Sequence, residues 1–146
     1  MIKEKIKNII EMLVTSTKSG QLKWNDNSTP NKKSYHREYY AIGEDGTKYE
    51  TEVKYSMNSR TNNWELESSP SLWIRSEKLP NGAFYVYGGE YDIKELRQVL
   101  ISNYCQDMKP SEKLVEDALD SISKGINMSE YRDNKLNKIL NVFGNK

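Results

Sequence analysis

Apolar residues recur at helical spacing from the start of the chain. Ile2, Ile6, Ile9, Ile10, Leu13 and Val14 share one side of a segment whose other positions are largely charged or polar. Lys18 falls in the last turn and Gly20 supplies a stop, so residues 1–20 are predicted to form an amphipathic helix. The period then changes. Leu22 and Trp24 are spaced for one side of a short extended piece, and residues 25–34 read as a polar loop.

From residue 35 to 88 the dominant period is two, which predicts an antiparallel sheet of about five strands. Tyr35–Ile42 and Thr47–Met57 form a first hairpin around Asp45-Gly46. Tyr49, Thr51, Val53, Tyr55 and Met57 lie on one side of its second strand. The first strand has two readings. A two-residue turn puts His36, Glu38, Tyr40 and Ile42 on that side; a three-residue turn puts Tyr35, Arg37, Tyr39 and Ala41 there instead. After a polar loop at residues 58–63, Trp64 and Leu66 alternate with Glu65 and Glu67. Ser68-Ser69-Pro70-Ser71 then forces a bend.

Leu72–Gly88 carries one of the clearest alternations. Pro80-Asn81-Gly82 predicts a three-residue loop that pairs Leu79 with Ala83 and Ile74 with Gly88. That register collects Leu72, Ile74, Phe84 and Val86 on one face, and Trp73, Arg75, Glu77, Tyr85 and Tyr87 on the other.

Residues 92–143 return to helical spacing. Asp92 to Glu95 reads as a capping box, with Tyr91 and Leu96 as its hydrophobic staple. Leu96, Val99, Leu100 and Tyr104 are the buried stripe. Pro110 separates a second helix, capped by Ser111, striped by Leu114, Val115, Ala118, Leu119 and Ile122, and ended by Gly125. A last helix is expected from about Ser129 to Phe143. The fold class is therefore α+β: an N-terminal helix, an antiparallel meander, and C-terminal helices packed on the sheet, in one domain spanning 1–146.

Composition narrows the function classes. The chain has 146 residues, 22 basic and 21 acidic, so no electrostatic footprint for nucleic acid stands out. Cys105 is the single cysteine, which excludes an internal disulfide and a cysteine-rich zinc site. A reducing cytoplasmic location is expected, since no signal-peptide pattern or membrane span is legible. No cofactor is expected either, because Gly88-Gly89 lacks the lysine and spacing of a phosphate-binding loop.

Candidate chemistry is sparse. The aromatic face of the Leu72–Gly88 hairpin supplies rigid contact area, and Arg75 on it suits a carboxylate, a phosphate or a ring. Arg37 and His36 complete the candidate binding set of Trp73, Arg75, Tyr85 and Tyr87. Lys32 and Lys33, with Arg37, form a small basic spot. His36 is the single histidine, and a catalytic site would use it with Glu38 or Glu52. Glu50 and Glu52 point the same way on one strand, as do Glu65 and Glu67 on another. Together they are able to hold a cation or do acid–base work, but such pairs are more common as the polar face of a half-buried sheet. No metal site is assigned from these residues.

The N-terminal amphipathic helix, then Gly20-x-Leu22-x-Trp24, a tyrosine-rich antiparallel meander and a helical tail resemble small accessory proteins of bacteriophages and mobile elements. The resemblance implies a binding protein in the host cytoplasm that blocks a host or defence protein, or sequesters a small nucleotide-like ligand. It transfers no functional residue. The leading expectation is thus a non-enzymatic binding protein. A small enzyme using His36 and a nucleic-acid binder are the alternatives, and a homodimer is a further option for covering the aromatic face.

Overall fold

The computed structural model describes residues 1–126. The chain divides into two compact units, Met1–Pro110 and a second beginning at Ser111. In the first, α1 (Ile2–Lys18) and α2 (Lys94–Tyr104) pack on one sheet made of β1 (Asn25–Asp26), β2 (His36–Ile42), β3 (Lys48–Asn58), β4 (Asn63–Leu66), β5 (Ser71–Arg75) and β6 (Ala83–Tyr87). Every pairing is antiparallel, in the order β1-β2-β3-β5-β6, with β4 also paired to β3. The expected α+β arrangement is present.

Burial of one stripe drives α1 onto the sheet: Ile6, Ile10, Leu13, Val14 and Thr17 are buried, while Ile2 stays exposed. Gly20 adopts a positive φ of 78°, and its N–H reaches the Thr17 carbonyl. That left-handed turn folds the next residues back along the helix. Leu22 N–H then bonds Ser16 O, and Trp24 is buried with its indole N–H donating to Thr17 Oγ1 at 2.9 Å. The Gly20-x-Leu22-x-Trp24 stretch therefore tethers α1 to the sheet through Trp24.

β2 and β3 join through residues 43–47, a loop of odd length, so Ala41 faces Tyr49 and Arg37 faces Val53. This selects the second of the two readings for β2. Arg37, Tyr39, Ala41, Thr51 and Val53 point toward the helices and are buried. His36, Glu38, Tyr40 and Ile42 point away from them. The core closes with Leu72, Ile74 and Val86 from β5 and β6, and Ile93, Leu96, Val99 and Leu100 from α2.

β4 and β5 occupy successive stretches of the same edge of β3. Tyr55 faces Leu66 and Thr51 faces Leu72, so four positions along β3 correspond to six along its neighbour. The two extra residues form a bulge at Ser68–Pro70, flanked by Glu67 N–H bonded to Lys54 O and by Thr51 Oγ1 donating to Ser71 O. Arg97 of α2 reaches across the core side and donates to the Glu67 carbonyl. Gly88 packs directly on the bulge, where an added Cβ would lie 1.8 Å from the Pro70 carbonyl oxygen.

The β5–β6 loop is longer than expected. Arg75, rather than Leu79, faces Ala83, and residues 76–82 form the connection. Two successive turns build it, with Leu79 N–H bonded to Ser76 O and Gly82 N–H to Leu79 O; Gly82 sits at a φ of 74°. The register differs from the expected one by an even number of positions, so the residues that remain in β5 and β6 keep their predicted faces, while Glu77 falls in the connection.

The capping box at α2 is not formed. The helix starts at Lys94, one residue later than the box requires, and Asp92 Oδ1 instead accepts from Lys94 N–H at 3.1 Å. In the second unit, α3 (Glu112–Lys124) is capped as expected: Ser111 Oγ accepts from Leu114 N–H, and Gly125 N–H closes the other end on Ser121 O and Ile122 O. The helix expected from Ser129 lies outside the described residues. Among the described residues, no helix is long and apolar enough to cross a membrane.

Candidate functional site

The sheet face turned away from α1 and α2 carries most of the candidate chemistry. β5 and β6 place Trp73 opposite Tyr85 and Ser71 opposite Tyr87. The three rings form a ladder, with centroids 4.7 Å apart for Trp73–Tyr85 and 6.4 Å for Tyr85–Tyr87. They stay 38%, 44% and 49% exposed in the order Trp73, Tyr85, Tyr87, which is high for side chains of this size on a sheet.

Arg75 lies 5.0 Å above the Trp73 ring and donates through Nε to Glu50 Oε1. Ring and carboxylate together fix a guanidinium that is still half-exposed. Glu50 also lies 3.9 Å from Lys48 Nζ, and Lys48 in turn sits over the Tyr40 ring. A groove of about 260 Å³ runs along this surface, lined in part by Glu38, Tyr40, Glu50, Glu52, Trp73 and Arg75.

His36 stands at one end of the same face. Its Nε2 is 2.7 Å from Glu52 Oε2 and 3.8 Å from Glu38 Oε1. Glu50 and Glu52 do point the same way, as the alternation predicts, but they serve different partners: Arg75 for one and His36 for the other.

Arg37 does not belong to this surface. It is buried on the opposite face, where Nε donates to Lys33 O and Nη1 to Tyr104 O and to Asp107 Oδ1 at 2.7 Å. The parity of β2 excludes it from any site shared with Trp73 and Arg75. The hydrogen bond from Arg37 holds the Asp107 carboxyl below its usual range. Beside it, Tyr39 OH and Cys105 Sγ are 3.1 Å apart, and burial pushes both groups' pKa values up. A thiol so placed is a weak nucleophile and serves as core. The basic spot is likewise dispersed, since Lys33 pairs with Asp26 and Arg37 turns inward.

Sequence reasoning did not single out Lys78 and Asp45. Their 2.8 Å ion pair ties the β2–β3 loop to the β5–β6 loop, and Asp45 also accepts from Thr47 N–H and Oγ1. These bonds, that from Lys78 foremost, hold the Asp45 carboxyl well below its ordinary range. The Asp45-Gly46 pair marked a turn, but nothing in it announced a partner 33 residues away.

Comparison with known proteins finds no matching family model, curated protein or solved structure.

Proposed function

We propose that this is a non-enzymatic binding protein of the phage-accessory kind, which docks a host or defence protein on the outer face of its sheet. The observation that carries this reading is the exposed ladder of Trp73, Tyr85 and Tyr87 beside a positioned Arg75. Tyrosine, tryptophan and arginine are enriched among the residues that dominate protein interfaces. The two aromatic types bury large rigid areas at low entropic cost, and arginine adds planar, multidentate pairing. The face is broad, and its polar groups are already positioned by one another.

A small nucleotide-like ligand is the second reading, favoured by the groove beside Trp73. It is the weaker one. Three carboxylates, Glu38, Glu50 and Glu52, line that groove against two cations, Lys48 and Arg75, and Arg75 is already paired with Glu50, so the balance of charge disfavours an anion.

Site-specific photo-crosslinking tests the docking reading. A benzophenone side chain replacing Tyr87 should yield a discrete adduct with one protein in host extract. The same group replacing Gln98, exposed on α2, should not. Adducts of equal yield from both positions, or none from position 87, would refute it. A thermal shift with a nucleotide in the same preparation would favour the second reading instead.

A further inference from the structure

We propose that His36, Glu38 and Glu52 form a binding site for a zinc-like divalent transition-metal ion. The proposal is independent of the docking reading. β2 and β3 set Glu38 directly opposite Glu52, and both side chains stand on the outer face. Like charges facing each other across two strands destabilise a sheet, and a cation held between them relieves that cost. His36 is two residues from Glu38 on the same strand and therefore on the same face. Its imidazole is only 16% exposed and leans over Glu52.

One donor atom from each of the three residues lies within 4.8 Å of the other two. Around a tetrahedral ion with bonds of about 2.0–2.1 Å, donors stand roughly 3.4 Å apart. The observed separations of 2.7 and 3.8 Å from Nε2 to the two carboxylates bracket that value. To hold an ion, Glu38, at 53% exposure, has to draw in slightly, and Glu52 has to move about 0.7 Å from the imidazole as the ion replaces their hydrogen bond.

The donor set points to the kind of ion. One imidazole nitrogen with two carboxylates suits zinc and its first-row neighbours, whereas magnesium and calcium favour all-oxygen shells. Three protein ligands leave a further position to water. Glu38 and Glu52 both line the groove that Trp73 and Arg75 also line.

The test is calorimetric titration of the full, tag-free chain with zinc chloride. One ion per chain should bind saturably. Affinity should fall at least tenfold in His36→Gln and in Glu52→Gln, and magnesium should compete at least a hundredfold less well. Because either substitution could disturb the sheet, circular dichroism accompanies each variant. Glu38→Gln, on an exposed side chain, supplies the variant that must fold, and it should weaken zinc as well. Absence of saturable zinc uptake, or uptake undiminished in folded Glu38→Gln and His36→Gln, would overturn the proposal.

Discussion

Arg37 is a folding residue because an odd-numbered position of β2 points at the helices. Its guanidinium spans the gap between β2 and the segment after α2, with two carbonyls and Asp107 as acceptors. Arg75, at an odd position of β5, points the other way and lies exposed against Trp73. The prediction at this scale concerns Asp107. Its carboxyl titrates lower in the folded chain than in the unfolded one, so its contribution is complete above an unfolded pKa of about 3.9. That contribution is lost as pH falls through the lower folded value. Asp107→Asn should therefore lower the melting temperature at pH 7, and the gap from wild type should narrow below about pH 4. Thermal melts from pH 3 to 7 check this. Residue roles of this kind were only partly legible in the sequence. Arg37 had two readings because the length of the loop at 43–47 decided its face, and Asp107, 70 residues away, carried no mark of being its partner.

At the scale of elements, even and odd counts matter more than exact loop lengths. The β5–β6 loop runs four residues longer than the Pro80-Asn81-Gly82 signal suggested, yet both faces of the hairpin came out as read, since an even change preserves alternation. The bulge at Ser68–Pro70 was visible only as a bend. That β4 and β5 share one edge of β3 depends on long-range pairing, which local pattern does not encode. Gly88 supplies the element-scale prediction. Its lack of a side chain lets β6 end against the Pro70 carbonyl, so Gly88→Ala should cost at or above the ~1–3 kcal/mol typical of overpacking, measured by denaturant unfolding. Gly82→Ala gives the contrast: it meets no close atom and is opposed by its positive φ alone.

For the first compact unit as a whole, the sheet divides labour between its faces. The side toward α1 and α2 holds the aliphatic core, and the other side holds the aromatic ladder, the Arg75–Glu50 pair and the His36–Glu38–Glu52 cluster. The candidate surface was legible because alternation in Leu72–Gly88 is clean. The His36–Glu52 contact was only half legible, since it depends on which face of β2 carries the even positions.

The central claim is that the outer face binds a partner and is dispensable for folding. Affinity capture from host extract by wild type and by Arg75→Ser/Tyr87→Ser, with each protein's unfolding free energy recorded, tests it most directly. The account predicts stability within about 1 kcal/mol of wild type, because both side chains are half-exposed on the outer face and the one ion pair is at the surface. It also predicts that the partner seen with wild type is lost, at about 2 kcal/mol or more of binding energy, roughly a thirtyfold weakening. A double variant that unfolds, or one that retains the same partner at the same level, would contradict it.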